Sequence, residues 1–346
     1  MVSGPSRGGE DAGTAMKVLA GDIGGTKTWL QVTEFSGATS RTLAEQRFVS
    51  AAYPDLLPMV REFLLSAGIP VVDAACFGVA GPVQGDVARQ TVRVTNLPWQ
   101  LDSTALAQAS GIPKVSLIND FQAAGYGIEA LTAADVAVLH PGDPQQHAPR
   151  LVVGAGTGFG TAQLIWQQDH YAVFPAEAGH AEFAPSDALQ AEFSQYLMQQ
   201  GGRGFYDRVL SGNGLVNCYE FLATRQSGNV SATQQQAIHD EEDVAASITR
   251  RALAEDDPLA SAALDFFITL YGAWTGSLAL ITQPRGGVYV AGGIAPRIIE
   301  RIRTGGFMQA FLDKGVMTPV VAAMPVQVVL NTKVGLMGAT LAGSRL

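Results

Sequence analysis

The chain is poor in cysteine, with only Cys76 and Cys218 among 346 residues. Both stand in apolar surroundings, so there is no disulfide framework and no paired zinc-ligand spacing; two buried thiols in a reducing compartment suit this pattern. Basic residues are scarce too: 22 Lys and Arg against 31 Asp and Glu leave a formal charge of -9. No basic stripe is available to neutralise a phosphate backbone, so nucleic acid is not expected as a partner. Charged residues make up only 15%, against 47% hydrophobic residues and 39 glycines. That balance excludes a disordered chain or a coiled coil and fits a compact α/β protein.

Long apolar runs are also few. The charge-free stretch from Phe266 to Pro284 is interrupted by Thr269, Tyr271, Thr275, Ser277, Thr282 and Gln283. Its Gly272 and Gly276 suit close helix packing, so it reads as a buried core helix, and no membrane partner is expected. Residues 1–15 are small, polar and glycine-rich, lack the apolar core of a secretory signal, and read as a disordered N-terminal extension. A single core seldom grows beyond ~250 to 300 residues, so two domains are expected.

Two glycine loops stand out from this background. Gly21-Asp22-Ile23-Gly24-Gly25-Thr26-Lys27-Thr28 follows the apolar run Met16 to Ala20, and Gly154-Ala155-Gly156-Thr157-Gly158 follows Leu151-Val152-Val153. Neither is a better-known nucleotide motif. A dinucleotide fingerprint would need glycine where Phe159 stands, and a P-loop would need glycine where Thr26 stands. Each reads as a β-turn-β hairpin whose glycines let backbone N–H groups approach phosphate oxygens, and Asp22 is placed to orient a magnesium-bound water. Together they point to two half-sites for one polyphosphate; each alone also fits an ordinary hairpin turn.

Around these loops the pattern is strand-rich with crossover helices. Strands are expected at Met16 to Ile23, Thr28 to Thr33, Arg47 to Ser50, Ala74 to Val79, Val87 to Val94 and Lys114 to Ile118. Helices are expected at Tyr53 to Ala67, closed by Gly68, and from Asp102 to Ala109. Leu151 opens a second round, with returning strands at Thr161 to Trp166 and Tyr171 to Phe174. Helices follow through Gln283, then strands at Gly287 to Val290 and Val326 to Leu330, and a last helix at Val334 to Ala342. Whole domains are duplicated rather than short repeats.

Lys114 to Ile118 delivers Asn119-Asp120 at its carboxyl end, where open α/β sheets place ligands. Phosphoryl transfer to an alcohol needs a carboxylate beside the hydroxyl, a role Asp120 fits, with Asn119 holding a neighbouring hydroxyl. Asp120 fits a helix cap equally. Glu177 and His180 stand three apart and, if the segment turns, offer acceptors and donors for sugar hydroxyls. A Glu-x-x-His di-metal site would need a second copy, which is absent; a satisfied loop histidine is the other reading. Asp207 to Gly212 alone reads as a helix end.

The combination resembles the bacterial-type ATP-dependent glucokinases of the hexokinase, actin and heat-shock chaperone ATPase superfamily. The matching segments are GDIGGT at 21, LINDF at 117, GAGTG at 154, AEAGHAEFAP at 176, RVLSGNGLVN at 208 and GGVYVAGGIAPR at 286. The resemblance implies an α/β fold of two ribonuclease-H-like (actin-like ATPase) domains with an interdomain cleft. Residues 16–130 plus 327–346 would form the small domain and 131–326 the large one. It implies that Gly21, Asp22, Ile23, Gly24, Gly25 and Thr26 line one phosphate loop, with Asp22 reaching Mg2+ through water. It likewise assigns Gly156, Thr157 and Gly158 to the second loop and Gly292 and Gly293 to the adenosine. Asn119, Asp120, Glu177 and His180 match glucose-binding residues, with Asp120 as base. Asp207 stands where the family usually has glutamate, and Lys27 where some members have asparagine. The cysteine-rich zinc motif of the related ROK kinases is missing, which favours the non-ROK group.

The implied activity is transfer of the γ-phosphoryl group of ATP to the 6-hydroxyl of glucose, in the cytoplasm, by a homodimer. The alternatives are a broader hexose kinase or a non-catalytic sugar sensor on the same fold.

Overall fold

The structure, a computed structural model, describes residues 15–37, 39–225 and 240–346. The expected N-terminal extension lies, through residue 14, outside the described residues. The chain divides into two compact units, one running to Ala130 and completed by Gly335–Leu346, the other Leu131–Val334.

The first unit is built on a five-stranded sheet. β1 (Met16–Ile23) pairs antiparallel with β2 (Lys27–Ser36), which pairs antiparallel with β3 (Thr39–Val49). On its other side β1 pairs parallel with β4 (Ala74–Val79), whose six residues are all buried. Parallel central strands are covered on both faces, which is why β1 and β4 read as continuous apolar runs. β3 is far longer than the expected strand at Arg47 to Ser50. It is a mostly exposed edge, TSRTLAEQRFV, whose polar residues leave no periodic apolar signal; the ladder to β2 forms it.

Helix α1 (Leu56–Ser66) begins three residues after the expected start, because the Asp55 carboxylate accepts the Leu56 N–H and Pro54 keeps its predecessor extended. The expected strand at Val87 to Val94 is instead a hairpin. β5 (Gln84–Asp86) turns through Val87-Ala88 into β6 (Arg89–Arg93), with the Asp86 carboxylate accepting the Ala88 N–H at 2.9 Å, and β7 (Gln100–Asp102) completes a small sheet. Asp102 caps α2 (Ser103–Ser110), as expected. β8 (Lys114–Asn119) then pairs parallel with β4 and runs into α3 (Asp120–Gly127). Phe63, Phe77 and Trp99 centre the core.

The C-terminal helix Val334–Ser344 lies on α3. A Cβ at Gly338 would sit 1.7 Å from the Ala123 carbonyl oxygen, so only glycine permits this approach. The expected return to the first unit at residue 327 lies in the second unit's sheet.

The second unit carries a six-stranded sheet. β9 (Val136–His140) is one edge; β10 (Arg150–Ala155), β11 (Phe159–Gln167) and β12 (His170–Ala176) form an antiparallel meander. β13 (Val288–Ala291) and β14 (Val326–Val329) continue it in parallel from β10. The order β12-β11-β10-β13-β14 repeats β3-β2-β1-β4-β8 of the first unit, so the two units share one topology. The helix Pro258–Thr282 packs on β10, α5 (Gly212–Arg225) packs on that helix, and α4 (Ala188–Gln199) packs on α5. The helix Pro258–Thr282 contains the charge-free stretch as far as Thr282 and packs as a core helix: Leu264, Phe267 and Tyr271 are fully buried. Cβ atoms at its Gly272 and Gly276 would sit 2.0 and 2.4 Å from the carbonyls of Phe307 and Phe311.

Candidate active site

In the first unit β1, β4 and β8 are parallel, so the turns that follow them leave one edge of the sheet. The first glycine loop is the β1–β2 turn, closed by Gly24 N–H donating to the Lys27 carbonyl at 3.0 Å. The buried Ser50 hydroxyl donates to the Gly24 carbonyl at 2.8 Å and lies 3.0 Å from the Thr28 hydroxyl, so the turn is held from below. Gly21 and Ile23 are buried in β1, while Gly24 and Gly25 are half-buried and Thr26 is exposed at the turn's tip. The Thr95-Asn96 loop lies over Gly25: a Cβ there would meet the Thr95 carbonyl at 3.1 Å.

Asp22 is partly buried, and its carboxyl makes no hydrogen bond or ion pair among the described residues. Desolvation pushes its pKa up to about 6. Gly335, at the start of the C-terminal helix, leaves room for it; a Cβ there would be 3.4 Å from its Oδ2. An unpaired, desolvated carboxylate beside a phosphate-type loop fits a cation. Among the described residues no group of three or more His, Cys, Asp or Glu is arranged to hold a metal by itself, so protein ligands alone do not build a closed site.

Asn119 and Asp120 emerge from β8 on the same edge. The cap of α3 is Asn119, not Asp120: its Oδ1 accepts the N–H groups of Phe121 at 2.9 Å and Gln122 at 3.2 Å, and its amide nitrogen donates to the Gly81 carbonyl at 3.1 Å. Asp120 is the first helical residue, partly exposed, its Oδ1 accepting the Phe121 N–H at 3.0 Å. A carboxylate in a helix's first turn is stabilised as an anion. Gly78 in β4 makes this approach possible. A Cβ there would lie 2.7 Å from that of Ala123, 3.7 Å from the Gly21 carbonyl and 3.9 Å from the Asp120 Cα.

The second unit assembles its own set. The second glycine loop joins β10 to β11, closed by Gly156 N–H donating to the Gly158 carbonyl at 2.8 Å, with Thr157 exposed at its tip. Gly292 and Gly293 follow β13 beside it; Gly292 has φ 83°, and a Cβ there would strike the Ala155 carbonyl at 2.5 Å. Glu177 precedes and His180 ends a single 3-10 turn, Ala178–His180, and both are exposed. The turn packs on the loop's far side, where a Cβ at Gly179 would be 2.5 Å from the Phe159 carbonyl.

Asp207 joins them because residues 181–183 pair with 204–206: Tyr206 N–H donates to the Ala181 carbonyl and Phe183 N–H to that of Gly204, each at 3.0 Å. His180 accordingly lies 5.4 Å, ring to ring, from Phe205. The segment from Asp207 is no helix end. It is a 3-10 turn leading into the start of α5 at Gly212, whose N–H donates to the Gly156 carbonyl at 2.9 Å. Thus a fourteen-residue helix begins at the second loop, an arrangement favourable to anions. Sequence motifs do not single out Ser50 or the Phe159 N–H for the site; their signal is tertiary.

A family model for Glucokinase matches residues 19–345. A glucokinase of a Nostoc species is 44% identical over 343 residues, covering 95% of this chain and 99% of that protein. One from Nostoc punctiforme is 43% identical over 342 residues with the same coverage. The crystal structure of a glucokinase from an Antarctic psychrotroph aligns with TM-score 0.81 at 27% identity, covering 95% of this chain and 99% of that one. A ROK family glucokinase from Streptomyces griseus, solved in complex with glucose and AMPPNP, aligns at 0.65 with 22% identity, covering 95% of this chain and 100% of that one. The fold is that of the actin-like ATPases, and the class it defines here is the ATP-dependent sugar kinases. The chain belongs to the glucokinase family.

Proposed function

We propose that the chain transfers the γ-phosphoryl group of ATP to the 6-hydroxyl of glucose, giving glucose 6-phosphate and ADP as the opening step of glycolysis. The observation that carries this mechanism is the approach of Asp120 to the first glycine loop across Gly78. A carboxylate that takes a hydroxyl proton is thereby held on the sheet edge where backbone N–H groups are open to phosphate. Phosphoryl transfer is mostly positioning and electrostatics, so this placement is the central requirement.

In this reading Asp120 accepts the 6-hydroxyl proton, while Asn119, Glu177, His180 and Asp207 hold the other hydroxyls. Gly24, Gly25, Thr26, Gly156, Thr157 and Gly158 cradle the phosphates, and the Gly292-Gly293 turn takes the adenosine. Asp22 would hold Mg2+ through water, and the bound ion neutralises charge on the phosphates. Lys27, exposed beside the first loop, adds a cation on the donor side. The same reading places the enzyme in the cytoplasm as a homodimer, without nucleic-acid or membrane partners, in keeping with its net charge of -9.

A coupled assay crossing glucose, mannose, fructose and glucosamine with ATP, ADP and polyphosphate tests the proposal. Turnover confined to glucose with ATP and Mg2+ is expected. Comparable rates on several sugars would make it a broader hexose kinase, and binding without turnover a sensor.

A further inference from the structure

We infer that Asp207 is a positioning residue for the second glycine loop as well as a sugar contact, and so couples sugar binding to nucleotide binding. The inference rests on the kinase reading and deepens it. The Phe159 N–H, the first after the loop's last glycine, donates to Asp207 Oδ1 at 2.6 Å. The carboxylate reaches that N–H only because residue 158 has no side chain: a Cβ at Gly158 would lie 2.6 Å from the same oxygen.

The Asp207 segment is tied to the loop a second time, where the Gly212 N–H donates to the Gly156 carbonyl at 2.9 Å. Ser211 stiffens the stretch between these ties, its hydroxyl donating to the Asp207 carbonyl at 2.6 Å and accepting the Gly214 N–H at 3.0 Å. Residues 207–214 thus form a brace with one end on each side of the loop. Asp207 Oδ2 makes no hydrogen bond among the described residues, and the residue is partly exposed, so one oxygen holds the loop while the other is left to accept from a hydroxyl in the set proposed with Glu177 and His180. A sugar hydroxyl donating to Oδ2 fixes the carboxylate and disperses its charge beside a loop that receives anions. The coupling is therefore positive, and linkage requires each ligand to tighten the other by one common factor. An aspartate, one methylene shorter than glutamate, suits this double duty.

Calorimetric titrations of the full-length protein with glucose and with Mg-AMPPNP, singly and together, test this. In the wild type each ligand should tighten the other by the same factor, about 5-fold or more. Asp207→Ala should weaken AMPPNP binding about tenfold even without glucose, the loss of a charge-assisted hydrogen bond that orders the loop, and should abolish the coupling. Asp207→Asn, whose amide oxygen still accepts the Phe159 N–H, should restore sugar-free AMPPNP binding. His180→Ala is the comparison and should weaken glucose alone. Gly158→Ala gives the reciprocal test: by displacing the carboxylate it should weaken glucose binding in the absence of nucleotide. Wild-type AMPPNP affinity in Asp207→Ala, or wild-type glucose affinity in Gly158→Ala, would overturn the inference and leave the kinase reading intact. A wild-type protein that bound neither ligand would overturn both.

Discussion

Asn119 donates its amide N–H to the Gly81 carbonyl at 3.1 Å while its side-chain oxygen caps α3, so one residue joins the turn after β4 to the helix that carries Asp120. Asn119→Ala should cost about 0.5 to 2 kcal/mol of stability through the lost cap. Asn119→Asp keeps the cap but cannot donate to Gly81, and should recover most of that loss. Denaturant melts of the two variants check this; equal destabilisation by both would show that the Gly81 bond, not the cap, dominates.

Asp120 is the proposed base, and its removal should separate chemistry from folding. Asp120→Ala should lower turnover by about 10² to 10⁴ while the protein stays folded with only a small drop in melting temperature, because Asn119 supplies the cap and Asp120 adds only a first-turn carboxylate. Steady-state kinetics beside a thermal melt decide the matter, and near-normal turnover would exclude the role.

Asp22 carries a pH signature. Its folded carboxyl titrates at about 6, above the ordinary carboxylate value of ~4. In the absence of magnesium it therefore leaves stability untouched below pH ~4 and destabilises the fold increasingly as pH rises toward 6, with the full penalty above. Asp22→Asn removes that penalty. Melts in EDTA should show the variant more stable than wild type at pH 8, with the difference vanishing below pH 4, while its activity should fall and need more magnesium for saturation. A variant equally stable at both pH values would contradict the desolvation argument.

Gly338 sets how closely the C-terminal helix approaches α3. Gly338→Ala must accommodate a methyl group 1.7 Å from the Ala123 carbonyl and 2.5 Å from the Gly127 nitrogen. Overpacking typically costs about 1 to 3 kcal/mol, and a clash with backbone belongs at the upper end or beyond. Chemical denaturation measures it, and a variant as stable as wild type would mean that the helices lie farther apart.

What could be read in advance follows from how strongly each feature marks the sequence. β1 and β4 are apolar runs buried at the centre of the sheet, so they are visible in the sequence, as are the two hairpins marked by clustered glycines. β3 was largely missed because an exposed edge strand buries almost nothing; its partner β2 defines it. The hairpin at Val87 resembles one strand in sequence because Val87, 98% exposed at the turn, mimics an apolar strand position. Asp120 and Asn119 exchanged the expected capping role because either side chain can cap, and only the backbone angles of the β8–α3 junction choose between them.

The amino-acid sequence alone determined the α/β class, the doubled strand-turn-strand plan and the residue types available for phosphate and sugar, since these depend on local pattern and on glycine's missing side chain. Only the tertiary structure decided that Asp207 meets the Phe159 N–H, that Asp22 loses its water, and that α5 starts at the second loop. Those contacts join residues distant along the chain, and their geometry arises from packing that no local stretch encodes.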